Sequence, residues 1–426
     1  MSGTAIRQLL ARRVWDSRGR PTVEAEVVLA GGARGRAIAP AGASTGSGEA
    51  LDRRDGGARL GGLDVQGALA AVRDEIAPAL AGLDADDQGA VDRTLVDLDG
   101  TPGRTRLGGN ALIATSLAVA HASAAAAGVP LWRRLAGDAP VGLPLPEIQL
   151  LGGGAHAGGR IDLQDTMVVA VGARSYAEAL EWTAEAYRAA GALLAEQGRL
   201  AGVADEGGFW PLLETNEQAL ELAVRAIERA GLVPGEQLAL SLDVAATQLG
   251  SGGRYRLGLE GRELDSDGLA EVVLGWLERY PVVAVEDPLA EDDLDALARF
   301  TAAAGPRVQV VGDDAVVTSA ARIERAAALG AANTALIKPN QAGTLTETRA
   351  ALEAARAAGW DAIVSARSGE SEDVTIVHLA VGWGVRQLKV GSFARSERMA
   401  KWNEGLRIGE LVGDALPPRS AFPWGR

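Results

Sequence analysis

The chain has 426 residues, enough for one large domain and a smaller one. Its 47% hydrophobic content with mixed charge is that of an ordinary globular protein, and its net charge of −14 argues against nucleic acid or an anionic membrane as partner, though not against a small anion in a locally positive pocket. Having no Cys excludes disulfides, thiolate catalysis and Cys-ligated metals, and with only three His (His121, His156, His378) a His-rich zinc site is not expected.

The first residues, MSGTAIRQLLARRVWDSRG, carry Arg early and no long apolar core, so no signal peptide is read and the expected location is the cytoplasm. TVEAEVVLA alternates apolar and polar residues and predicts a half-buried strand. GGARGRAIAP follows a Gly-Gly turn and suits its hairpin partner. AIAPAGASTGSGEA reads as a loop of small residues, and helices are expected over roughly 64–136. The most apolar stretch, NALIATSLAVAHASAAAAGVPLW, is rich in Ala and broken by Ser, Thr and His; it reads as a buried helix rather than a membrane span. The Pro-rich VGLPLPEIQ at 141–149 marks the expected boundary between an N-terminal α+β domain, 1–140, and a second domain, 141–426.

Beyond 150, short apolar runs alternate with Ala-rich helical segments. The runs are DTMVVAV, LALSLDVA, VVAVEDP, VQVVGDD, TALIKPN, DAIVSARS and QLKVGS. Repeated β-α units predict a parallel sheet with helices outside it. Seven or eight units over this length fit a closed β/α barrel better than an open sheet.

Most of these runs end in a polar residue: Asp243, Glu286, Asp313, Lys338, the pair Arg367–Ser368, and Lys389. In a β/α barrel the C-terminal strand ends form the active-site face, so all of them converge on one mouth. Three carboxylates meeting there stay ionised together only around a cation, and an all-oxygen set favours Mg²⁺ or Mn²⁺. The bland alternative is that each acid caps the following helix. A Lys beside such a site is a candidate general base, and a second one a candidate anion binder; the bland alternative for either is a salt bridge to one of the acids.

The blocks WDSRGRPTVEAEV, GASTG, GGGAHAGG, ADEGGF, SLDVA, VEDPLAEDD, VGDD, IKPNQAGTLTET, SGESED and GSFARSERMAKWNEGLRI resemble enolase, the 2-phosphoglycerate dehydratase, in the family's order along essentially the whole chain. The resemblance implies an N-terminal α+β domain followed by an enolase-type β/α barrel. It implies that Asp243, Glu286 and Asp313 ligate Mg²⁺, and that Ser44 closes over the substrate and helps hold a second ion. It implies further that Lys338 removes the proton alpha to the carboxylate, Lys389 binds the carboxylate side, Glu206 assists departure of hydroxide, and Arg367 and Ser368 bind phosphate. His156 and Gln164 also match active-site positions. The implied ligand is a small phospho- or phosphono-carboxylate, and the implied assembly a dimer or an assembly of dimers.

The chain departs from the family within the site. S-H-R-S reads S-A-R-S, so Ala366 stands where the family has His; Q-E-F-M reads Q-D-T-M, which shortens a Glu to Asp165 and places Thr166 for Phe. Gly152 and Ala155 replace Asn and Ser, and Pro339 follows the base. By the resemblance, the lost His and the shortened Glu lie on the side where hydroxide departs, and Asp165 withdraws a carboxylate by about 1.5 Å, a misplacement of the size that can cost about 100-fold. The expectation is a specialised enzyme resembling the carboxyphosphonoenolpyruvate synthases of phosphonate and phosphinate antibiotic pathways. The alternatives are an ordinary enolase and an enolase-fold binding protein without catalysis.

Overall fold

Alternating side chains make the N-terminal segment a sheet. In the computed structural model, which describes residues 2–43 and 45–425, strands Ile6–Trp15, Pro21–Leu29 and Arg34–Ile38 pair antiparallel in chain order. The middle strand is more than half buried, as every residue but Glu26 is inaccessible. Its apolar face takes the helix Gly109–Ala126. Its other face is roofed by arginines: Arg12 and Arg36 pair with Glu24, and Arg12 and Arg34 with Glu26. A Cβ at Gly35 would fall on the helix backbone at Ala118 and Ala122, so glycine there sets how closely sheet and helix approach. The helix itself is buried on nearly every side, as its composition predicts. Among the described residues no helix is long and apolar enough to cross a membrane.

In the second domain eight strands form the barrel: Leu145–Gly152, Asp165–Val169, Ala239–Asp243, Val282–Glu286, Gln309–Gly312, Thr334–Ile337, Asp361–Ser365 and Gln387–Ser392. They pair in chain order, and the eighth pairs with the first, closing a barrel. Nearly every strand residue is buried, as expected for a sheet with helices on one face and its own side chains on the other. The fold is the expected enolase-type β/α barrel behind an N-terminal α+β domain.

One expectation needs correction. The barrel is not wholly parallel, because its second strand runs antiparallel to both neighbours. Parallel neighbours need a long crossover, usually a helix. Between strands one and two the chain has only the loop 153–164, with a single 3₁₀ turn at Gly154–Ala157, so it returns along the side it left. The missing crossover appears one step later, where helices Tyr176–Glu196 and Glu217–Arg229 both precede the third strand. Asp165, the first residue of the antiparallel strand, therefore lies at the same mouth as the last residues of the others, in register with Gly152 and Asp243.

Candidate active site

The mouth is lined by His156, Gln164, Asp165, Glu206, Asp243, Asp313, Lys338, Ser365, Ala366, Arg367, Ser368, Lys389 and Val390. The structure thus brings together all the sequence-predicted residues except Glu286, which reaches the group through Lys389, and Ser44, which lies outside the described residues. The enclosed space is about 30 Å³, room for one or two waters. Ala366 is buried and lines this small space, so its methyl group opens no large void.

None of the three strand-end acids caps a helix. The caps are supplied by Asp265 and Asp293 for helices Ser266–Arg279 and Leu294–Ala304, while Ser319 stands before Ala320–Leu329. The acids turn inward instead. Lys389 Nζ donates to Asp243 Oδ2 at 2.9 Å and to Glu286 Oε2 at 2.7 Å, and lies 3.7 Å from Asp165 Oδ2. Burial works against its charge, but Asp243, Glu286, Asp165 and Glu147 outweigh burial and hold the ammonium well above the ordinary lysine range. Lys338 pairs with Asp313 Oδ2, and its backbone N–H donates to Thr318 Oγ1 at 2.9 Å. Burial, Arg367 and Lys389 favour its free amine; Asp313 and Glu286 prevail and raise its pKa. Pro339 opens the short helix Pro339–Ala342, where a missing N–H costs nothing, and so starts a helix directly behind Lys338.

Arg367 and Ser368 follow the seventh strand. The loop is pinned from below by Arg398, whose Nη1 donates to the carbonyls of Arg367 at 2.6 Å and Val390 at 2.8 Å. It is pinned from above by the N-terminal domain, through paired backbone bonds between Ala41 and Gly369 at 2.9 Å. A Cβ at Gly369 would strike Asp16 and Arg18, so the glycine permits this contact. Ser368 Oγ accepts from Ala43 N at 2.7 Å and Arg18 Nη1 at 3.5 Å, which leaves its own hydrogen for an anion. Arg367 donates to Glu49 Oε2 at 2.9 Å and Asn340 Oδ1 at 3.1 Å.

On the opposite side, the hairpin of Leu200–Val203 and Phe209–Pro211 adds to the first strand and carries Glu206 in its turn. Cβ atoms at Gly207 and Gly208 would strike Ala394 and Gln149, so both glycines let that turn press inward. His156 Nδ1 is 3.3 Å from Asp165 Oδ1 and His156 Nε2 is 3.8 Å from Glu206 Oε1. Burial disfavours the imidazolium, but Glu206, Asp165 and Asp243 raise its pKa to about 9. Asp165 is fully enclosed, which opposes its charge; His156, Lys389 and the amide of Gln149 reverse that and lower it to about 2. The shorter side chain at 165 has therefore not lost contact with its neighbours.

The model of the enolase N-terminal domain matches residues 6–135, and that of the enolase C-terminal TIM barrel domain matches residues 140–418. The chain belongs to the enolase family. Enolases are in general Mg²⁺-dependent, and the buried acids of this one suit a cation. Glu286 Oε1 is buried and has no hydrogen-bond partner among the described residues. Burial and the adjacent Asp243 and Asp313 push its carboxyl well above the usual range, the mark of an anion cluster short of positive charge. The acids are not the tightest grouping, because the two lysines stand between them. Among the described residues, ligand atoms within 4.8 Å of one another belong to His156, Asp165 and Glu206, and to Asp287, Asp313 and Asp314. Asp287 already accepts the backbone N–H groups of Asp313 at 2.9 Å and Asp314 at 2.8 Å, which makes it a brace for Asp313.

Several residues in and around this mouth were not singled out from sequence: Arg18, Glu49, Gln149, Gln248, Asn340 and Gln341. Arg18 and Glu49 stand in or beside the quoted blocks WDSRGR and GASTG, but their partners lie hundreds of residues away. Gln341 Nε2 donates to Asp313 Oδ1 at 2.9 Å and to Glu49 Oε1 at 3.2 Å, tying the N-terminal loop to the barrel.

Proposed function

We propose that this enolase-family chain is a metal-dependent enzyme in which Lys338 removes the proton alpha to the carboxylate of a 2-phosphoglycerate-type substrate, giving an enolpyruvate product. Asp243, Glu286 and Asp313 are the cation ligands in this reading, with Ser44 assisting. A bound divalent cation would polarise the substrate carboxylate and make its α-proton acidic. Lys338 must act as its free amine; Asp313 and Glu286 hold its proton in this structure, and a cation that engaged those acids would leave burial and the charges of Arg367 and Lys389 to favour the amine. Lys389 holds the carboxylate side, Arg367 and Ser368 the phosphate-like anion, and Gln164 orients Asp243. The domains in this reading meet near residue 140.

We further read the chain as specialised for a phosphono-carboxylate, in the manner of the carboxyphosphonoenolpyruvate synthases. The observation that carries this is Ala366, a methyl group lining the mouth where the family has an imidazole. The reading rests on that lost polar group, not on added volume. One observation favours ordinary dehydration instead: Asp165 still reaches His156, and His156 lies beside Glu206.

Incubation with 2-phosphoglycerate and Mg²⁺ in D₂O separates these readings. The expected result is deuterium exchange at C2 with little phosphoenolpyruvate. Fast phosphoenolpyruvate formation would return the chain to ordinary enolase chemistry. Neither exchange nor product would remove the Lys338 assignment.

A further inference from the structure

Beyond the proposed ligands, a short relay of amides runs into Asp243 from the loop that carries His156. The backbone N–H of Ala155 donates to Gln248 Oε1 at 3.2 Å. Gln248 Nε2 donates to Gln164 Oε1 at 2.6 Å, and Gln164 Nε2 donates to Asp243 Oδ2 at 2.9 Å. A side-chain amide has one accepting end and one donating end. A backbone N–H can only donate, so Gln248 must turn its carbonyl to Ala155 and its NH₂ to Gln164. Gln164 must then turn its own NH₂ to Asp243. One backbone amide on the 153–158 loop thus sets the direction of two side chains.

The turn that presents Gln248 is itself fixed. Ala245 sits at φ 47°, a left-handed conformation that persists only where the surroundings hold it. Ala246 N donates to the carbonyl of Asp287 at 3.1 Å, and Thr247 Oγ1 accepts from Glu291 N at 3.1 Å. Glu291 Oε2 in turn accepts from Ser47 N and Oγ, both at 2.9 Å. The turn therefore touches the His156 loop on one side and, through Glu291, Ser47 on the other.

We infer that Gln248 is a positioning residue: it keeps a donor on Asp243 and so makes the strength of Asp243 as a cation ligand depend on where the His156 loop lies. This rests on the reading of Asp243 as a ligand. Partners that orient a ligand from behind commonly change metal affinity by about 10–100-fold when lost.

The test is Mn²⁺ titration of the full-length wild type, Gln248→Glu and Gln248→Met by calorimetry, with hydrogen exchange at Ala155 and melting temperature measured alongside. In Gln248→Glu the new carboxylate still accepts from Ala155 but cannot donate to Gln164, whose amide then turns its oxygen toward Asp243. Mn²⁺ affinity is expected to fall about tenfold while Ala155 stays protected. In Gln248→Met, Ala155 exchanges faster, and Gln164 is free to keep its donor on Asp243, so affinity falls less, about threefold. A purely structural role would lower the melting temperature of both variants without separating these two readouts. Unchanged or tighter Mn²⁺ binding by Gln248→Glu, with a binding wild type, overturns the relay alone. A wild type that binds no Mn²⁺ overturns the relay together with the ligand assignment.

Discussion

The two flanks of the mouth are built differently. Around Lys338 the groups are crowded and short-bonded: Asp313 is held by Lys338, Gln341 and its own backbone N–H on Asp287, and Arg367 is held by Glu49 and Asn340. Around His156 the separations are 3.3 and 3.8 Å, long for hydrogen bonds, and Ala366 adds no polar atom. A network closed on all sides is costly to perturb and holds one geometry. A looser flank tolerates substitution and a change of ligand. In the proposed reading, proton abstraction, which needs fixed geometry, falls on the crowded flank. Departure of the leaving group, in the same reading, falls on the sparse one.

The largest effects are expected on the crowded flank. Asp313→Asn removes a proposed ligand and the Lys338 partner together; exchange at C2 should become undetectable, and Mg²⁺ should no longer raise the melting temperature. Lys338→Met should lower C2 exchange by about 10²–10⁴-fold while leaving Mg²⁺ binding intact. Exchange at wild-type rate in Lys338→Met would dissolve the contrast between the flanks.

An intermediate effect is expected on the sparse flank. Ala366→His combined with Asp165→Glu should raise phosphoenolpyruvate formation from 2-phosphoglycerate by about 100-fold, with C2 exchange nearly unchanged. Equal changes in both rates would mean that the two flanks do not act separately.

The smallest effect is on stability. His156 binds its proton more tightly when folded, at about 9 against an ordinary 6.5. The associated stability is complete below pH 6.5 and is lost as pH rises through about 9. Asp165, at about 2 against 3.8, contributes above pH 3.8 and loses that contribution as pH falls through about 2. His156→Gln should therefore flatten the alkaline decline in chemical-denaturation stability, by about 1–3 kcal/mol between pH 6.5 and 9.

Much of this arrangement could be read from the chain. Apolar runs ending in Asp243, Glu286, Asp313, Lys338 and Lys389 announce inward-facing strand ends, because strand direction and side-chain alternation are local properties. Asp165 shows the limit. DTMVVAV carries its acid at the start where most of the other runs end in a polar residue, a sign of reversed direction that the apolar pattern alone does not give. The absence of an α-helix between Gly152 and Asp165 betrays the reversal as well. The partners Glu49–Arg367 and Arg18–Ser368 were out of reach for a different reason, as they are set by the docking of two domains rather than by any local pattern.

The reversed second strand has one more consequence. Because the chain never leaves the mouth between strands one and two, His156, Gln164 and Asp165 sit on a single uninterrupted segment whose two ends are anchored in the barrel wall. Such a segment can be exchanged as a cassette. Transplanting 153–166 between relatives would move most of the sparse flank at once and leave the lysines and acids of the crowded flank on their own strands.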